Sequence, residues 1–155
     1  MDAKEVIDNL GLVPHPEGGF YKRVFCSENK SGDGNYLMSS IYYLLEKDDF
    51  SAFHRLGSVE VWFFHIGEPI NIYLLNKDGR LETHSLSSQI GDKFQLAIEP
   101  DTWFAADIPS KKGFSLLSCA VSPEFSFTNF EMAKREDLIE EFPQHKSIIN
   151  SLTRL

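Results

Sequence analysis

Between Leu37 and Val121 apolar and polar positions alternate in short bursts, and each burst ends at a turn signal. The bursts are Met38–Leu45, Ser51–His54, Val59–His65, Ile70–Leu75, Leu81–Leu86, Phe94–Ile98, Trp103–Ile108 and Phe114–Val121. Period-two alternation among β-branched and aromatic residues predicts strands. The breaks fall at Lys47-Asp48-Asp49, Gly67-Glu68-Pro69, Asn76-Lys77-Asp78-Gly79, Gly91-Asp92 and Pro109-Ser110. Asp78-Gly79 between two such runs is a strong hairpin signal. An earlier strand is expected over Phe20–Phe25, after Pro14-His15-Pro16-Glu17-Gly18-Gly19, which holds too many breakers for a helix or central strand. Strands at this spacing predict an all-β sandwich or barrel rather than βαβ units.

The two ends read differently. Asp2 with Glu5 three residues on forms a capping-box pattern, Gly11 is a good terminator, and Val6 and Leu10 lie one turn apart. A short N-terminal helix follows from this. Glu131 to Leu155 is charged, lacks glycine and has helical spacing, with Pro143 dividing it into two short helices. These helices are expected to pack on the outside of the barrel. No repeat, linker or low-complexity tract divides the chain, so residues 1–155 read as one domain with a barrel core of about 19–123.

Composition narrows the function. The chain has 155 residues, a formal charge of −8 and a pI near 5.1. An acidic chain lacks the clustered basic face that a phosphate backbone or an anionic membrane attracts, so neither nucleic acid nor membrane is an expected partner. No apolar run nears the ~20 residues that span a bilayer, and the polar, acidic start is unlike a secretion signal. Cys26 and Cys119 lie far apart without a CxxC partner, which suits two reduced thiols in a cytoplasmic protein. The sequon Asn29-Lys30-Ser31 then carries no meaning.

In Val59–His65 the alternation puts Glu60, Trp62 and Phe64 on one face and Val59, Val61, Phe63 and His65 on the other. A carboxylate between two large aromatics fits a barrel interior where one polar group works in an aromatic cavity. The competing arrangement turns Glu60 outward from an edge strand.

His54, then Glu60 and then Gly67 are spaced like the first motif of the cupin superfamily. More narrowly, Leu12–Tyr21 with its Pro-Glu-Gly-Gly-Phe-Tyr core, Ile41–Leu45, His54-Arg55, Glu60-Val61-Trp62 and Phe125-Ser126-Phe127 resemble a small single-domain group often labelled cupin-five. Most members of that group lack an assigned activity. The resemblance spans about Leu10 to Pro143. It implies a double-stranded β-helix, a jelly-roll barrel with one open mouth, and a homodimer, which would also cover edge strands.

The departures from the superfamily bear on chemistry. A metal-binding cupin would be expected to carry a second histidine at position 56, where this chain has Leu56, and another within the second motif. That stretch, Pro100-Asp101-Thr102-Trp103-Phe104-Ala105-Ala106, has no histidine. His54 and Glu60 alone cannot close a tight transition-metal site, so neither a metal nor another cofactor is expected.

His54 and Glu60 are therefore the central candidate pair, the carboxylate orienting the imidazole and raising its pKa, with His54 the best catalytic candidate. Trp62 and Phe64 would line the cavity. Glu17 and Arg23 flank the glycine-rich segment near the mouth, either binding ligand or pairing across a dimer seam. Arg23 or Arg55 could hold an anion, although Arg55 alternates with His54 and faces away. Of Tyr42 and Tyr43, one faces inward, and alternation alone does not decide which. His15 reads as a loop residue, His65 as facing away from the cavity, and His84 and His145 as exposed. The expected function is binding of a small polar or anionic ligand without a metal. The alternative is a metal-independent epimerase resembling the deoxysugar-nucleotide enzymes of the superfamily, and a storage role ranks third.

Overall fold

The computed structural model describes residues 1–155. Helix α1 (Ala3–Leu10) precedes β1 (Val13–Pro14), β2 (Phe20–Cys26), β3 (Ser39–Glu46), β4 (Phe50–Leu56), β5 (Val59–Gly67), β6 (Ile70–Leu75) and β7 (Leu81–Leu86). Then come β8 (Gln95–Ile98), β9 (Trp103–Asp107), β10 (Phe114–Ser122), β11 (Phe130–Met132), α2 (Arg135–Glu141) and α3 (Lys146–Ser151). The strands form two antiparallel sheets, ordered β1-β2-β3-β10-β5-β8 and β11-β4-β9-β6-β7. The chain is thus mainly β, with the jelly-roll arrangement and three short helices.

The inward faces of the sheets meet in one apolar core. Tyr43, Trp62 and Leu117 from the first sheet pack with Ile72, Phe104 and Ala106 from the second. Tyr43 is the inward member of its pair, fully buried, while Tyr42 is half-buried. Strand β9 is buried along its whole length because both its faces are covered. Its outward Trp103 and Ala105 join Phe53 of β4 beneath Leu138, Phe142, Ile149 and Leu152 of the C-terminal helical segment. On the opposite side Val6 and Leu12 cover Leu44 and Leu116. Both ends of the chain therefore cap the barrel from outside. The capping box of α1 is closed from both sides, with the Glu5 N–H donating to Asp2 Oδ1 at 2.9 Å and the Asp2 N–H to Glu5 Oε2 at 2.8 Å. The hairpin at Asp78-Gly79 pairs Leu75 with Leu81 and turns through Gly79 at φ +88°.

Several boundaries differ from the sequence expectations. Strand β4 continues through Arg55 and Leu56, and β5 through Gly67. Phe130–Met132 is a strand rather than the approach to a helix. It pairs along β4, opposite Leu56, Arg55 and His54, and covers an edge that would otherwise stay open. Helix α2 begins only at Arg135, after an extended Lys134. The paired strands therefore run from Val13 to Met132, wider than 19–123. No helix is long and apolar enough to cross a membrane.

The turn from Pro14 to Gly19 positions the functional site. His15 N–H donates to the Gly19 carbonyl at 2.9 Å and Gly18 N–H to the His15 carbonyl at 3.0 Å. Gly19 N–H reaches Asp49 Oδ2 at 2.7 Å, and the Tyr43 hydroxyl donates to the Gly18 carbonyl at 2.7 Å. From the far end of the chain, Arg154 Nη2 donates to Asp49 Oδ1 at 2.9 Å and to the Phe50 carbonyl at 2.8 Å. Gly18 sits at φ +112°, and a Cβ there would lie 1.9 Å from the Phe50 carbonyl oxygen. The Phe50 backbone cannot yield, and the Arg154 guanidinium lies 2.3 Å from the same position. Gly18→Ala is expected to lower stability by more than about 2 kcal/mol in urea unfolding, through strain and clash together. Gly34→Ala, also at positive φ (+87°) but in open space, is expected to lose only about 1 kcal/mol.

Candidate functional site

The turn, β4 and β5 bring four titratable side chains to one cavity between the sheets. His15, Glu17, His54 and Glu60 line it, with Tyr21, Ile41, Leu56, Cys119, Val121 and Phe125 among the remaining wall. The space is small, about 30 Å³, which is room for roughly two water molecules.

Glu17 is buried and its Oε2 lies 2.9 Å from His54 Nε2. The other ring nitrogen of His54, Nδ1, is 2.7 Å from the Ala52 carbonyl. A carbonyl oxygen only accepts, so Nδ1 must carry a proton. The Nε2 nitrogen faces a carboxylate, so the ring is an imidazolium donating from both nitrogens, flanked by Phe104 and Phe130. The electrostatics agree with the hydrogen bonds. Burial pushes the His54 pKa down, but the charge and hydrogen bond of Glu17 more than reverse this, and the pKa is raised above 6.5. For Glu17, burial pushes upward and His54 overcomes it, leaving the carboxyl below 4.5.

His15 is the neutral partner. Its Nδ1 accepts the Glu17 N–H at 3.1 Å, which assigns the proton to Nε2. Burial is the main cause of its lowered pKa. The ring stands edge-on to Tyr21, with centroids 4.6 Å apart.

Glu60 is the unbalanced group. It is 6% exposed, and its Oε2 is fully buried without a hydrogen-bond partner. Burial lifts its pKa to about 7, opposed by the His54 charge and reinforced by that of Glu17. Across the sheet, Cys119 is buried and its thiol is pushed well above its usual range by burial and by Glu60, so it is no thiolate nucleophile.

The expected residues thus divide. His54, Glu60 and Glu17 meet in the cavity, but the carboxylate that orients His54 is Glu17 and not Glu60. Trp62 and Phe64 are buried in the inter-sheet core behind the cavity wall, where Trp62 packs on Tyr43 and Phe104. Arg23 lies outside. Its Nη2 donates to the Phe125 carbonyl at 2.9 Å and its Nη1 is 3.8 Å from Glu124, so it braces the Phe125 segment. Arg23 keeps the register that Tyr21 has against β3, since the irregularity in β2 falls only after it, and its position is set by the Phe125 carbonyl and Glu124 that hold its guanidinium. There is accordingly no Glu17–Arg23 pair. Arg55 faces away from the cavity, stacked on Trp103 and paired with Glu131. His65 is exposed on the outer face, bonded to Ser118. His84 and His145 are half-buried rather than exposed, His145 because its Nε2 bonds the Gly79 carbonyl. His15 was missed because a histidine between two prolines gives no periodic signal. The unusual Gly18-Gly19 pair, which bends the chain back over the barrel, was the available hint.

The donor set does not fit the transition metal found in other cupins. Both His54 nitrogens hold protons, Leu56 occupies the second histidine position, and no group of three or more His, Cys, Asp or Glu residues is arranged to hold an ion.

Known proteins resemble this one in sequence and in fold. The family model Cupin_5, described as "Cupin superfamily (DUF985)", matches residues 4–133. A crystal structure of a protein from Shewanella oneidensis superposes with a TM-score of 0.95 at 37% identity, covering 99% of this chain and 98% of that one. A hypothetical protein from Leishmania major gives 0.93 at 29% identity, with complete coverage of both chains. Oxalate decarboxylase from Bacillus subtilis shares the fold alone, at a TM-score of 0.59 and 13% identity over 90% of this chain and 36% of the enzyme. No curated protein matches the sequence. With most of its length matched by the family model and its fold shared end to end, the chain belongs to the DUF985 family of the cupin superfamily.

Proposed function

We propose that this cupin binds a small polar ligand in the cavity between its sheets, without a metal. One observation carries the reading: Glu60 lines that cavity, and its carboxylate has a buried oxygen without a hydrogen-bond partner. Such a group is destabilising unless something satisfies it. The polar half of the sequence expectation is favoured over the anionic half. No lysine or arginine lines the cavity, and its one cationic group, His54, is already neutralised by Glu17. The epimerase alternative needs a histidine base, and neither ring offers a lone pair, since His54 donates from both nitrogens and His15 Nδ1 is occupied. Glu60, with a pKa near 7, is the group suited to take up a proton. A homodimer belongs to the same proposal. Its support is the exposed apolar Val24, Phe25, Leu37 and Met38 on β2 and the approach to β3. Light scattering is expected to give twice the 17.7 kDa chain mass.

The reading is tested by a thermal-shift screen of small alcohols, amines and organic acids on the wild type and on Glu60→Gln. A shift of a few degrees that vanishes in the variant supports it, and an equal shift in both proteins overturns it. Metal analysis of unchelated protein giving one equivalent of iron, nickel or zinc would overturn the metal-free part.

Stability against pH tests the electrostatics. The Glu60 pKa is raised on folding, so the native state holds a proton that the unfolded chain releases as pH climbs from 4.5 to about 7. Stability contributed by Glu60 is therefore present below pH 4.5 and lost through that window. Glu60→Gln, which keeps the shape without the charge, is expected to be the more stable protein at pH 8 by about 3 kcal/mol, with the gain disappearing towards pH 4.5. Urea unfolding at several pH values measures this. For His54 the raised pKa means stability fully present below pH 6.5 and lost as pH rises through the folded value. Glu17→Gln is expected to drop the His54 pKa below 6.5, read by NMR titration of the ring, and to cost about 3–5 kcal/mol at pH 6.

A further inference from the structure

Resting on that reading of the cavity, the geometry points to a small ammonium group as the ligand, its N–H bonds directed to Glu60 between the walls formed by Tyr21 and Phe125. The charge distribution is the first ground. The wall holds two carboxylates and one imidazolium, with no lysine or arginine. Glu17 and His54 neutralise each other at 2.9 Å, so the charge left over is that of Glu60. Its Oε2 is fully buried and unpartnered, which makes this a vacant acceptor inside the fold rather than an acidic patch on its surface.

Hydrogen-bonding capacity is the second ground. His54 donates in two directions and His15 holds its remaining proton on Nε2, so neither supplies an acceptor. Neither histidine therefore offers a lone pair to a competing acid, and no protein donor closes a hydrogen bond to the buried Glu60 oxygen. A hydroxyl would give one hydrogen bond and leave the ionised carboxylate uncompensated. An ammonium gives a charge-assisted bond and cancels the charge as well.

Shape is the third ground. About 30 Å³ admits a methylammonium-sized head but not a nucleotide or a sugar ring. Tyr21 and Phe125 supply aromatic walls of the kind that attract a cation, and Ile41, Leu56 and Val121 suit a short alkyl stub. Binding would also keep Glu60 ionised at neutral pH, where the empty cavity leaves it near half-protonated.

The test uses methylammonium chloride at pH 8, with methanol as its neutral isostere, potassium chloride as an inorganic cation and sodium formate as an anion. The Trp62 indole N–H, buried on the same strand face as Glu60 and itself unpartnered, provides an NMR reporter sensitive to weak binding. The inference expects methylammonium to shift this resonance saturably, with an affinity at least tenfold above methanol, and expects Glu60→Gln to lose at least tenfold. Methanol or formate binding as tightly as methylammonium overturns the ammonium assignment and leaves the ligand cavity standing. Potassium matching methylammonium overturns it in favour of an inorganic cation. No response to any probe, with Glu60→Gln still unfolding cooperatively, overturns both the assignment and the cavity reading.

Discussion

The buried contact between Glu17 and His54 sets the terms for everything else in the barrel. It joins a glycine turn near the N-terminus to the second sheet, with each partner all but removed from water. Two charges so enclosed are tolerable only if their remaining hydrogen-bonding positions are filled. That condition is met on the histidine side by the Ala52 carbonyl, and the turn that delivers Glu17 is held by Asp49, Tyr43 and Arg154. The chain's last residues are thus recruited to fix a carboxylate near its beginning. The pair occupies both nitrogens of His54, so in this arrangement the ring has no free lone pair.

Pairing Glu17 with His54 leaves Glu60 as the odd charge. Its surroundings offer little relief. The Trp62 indole and the Cys119 thiol lie close enough to soften the rise in its pKa, yet neither closes a hydrogen bond to the free oxygen. A well-packed apolar side chain at this position would avoid the cost of a buried, unpartnered carboxylate oxygen. The rest of the fold compensates. The inter-sheet core is dense with large side chains, and both outer faces carry helical segments that shield the strands from water.

Most of the architecture was legible because its cause is local. Period-two alternation located the strands, and Asp78-Gly79 located a hairpin, without knowledge of tertiary structure. Phe130–Met132 escaped because three residues have no period; they are extended only because β4 presents an edge to them. The same division holds in the cavity. Glu60 was legible from the aromatic face it shares with Trp62 and Phe64, although those two rings turned out to back the cavity rather than wall it. The partnership of Glu17 with His54 was not, because it depends on how the Gly18-Gly19 turn folds over β4. Arg23 keeps the register of Tyr21, and its place outside the cavity depends on the Phe125 segment coming alongside β2, which no local pattern encodes.

The same contacts make the donor set here differ from that expected of a metal-binding cupin by more than the leucine at position 56. Replacing Leu56 with histidine would restore one ligand position. His54 would still have to release a proton that Glu17 and the Ala52 carbonyl hold in place, and Glu17 would then be left as a second uncompensated carboxylate beside Glu60. Abandoning the ion pair would also slacken the attachment of the glycine turn, and with it the placement of His15 and the wall around Tyr21. Metal binding and the present site are alternative solutions for one set of buried charges. In the first, a cation from outside neutralises the carboxylates. In the second, His54 supplies one positive charge from within, and the carboxylate left without a hydrogen-bonded cation is Glu60.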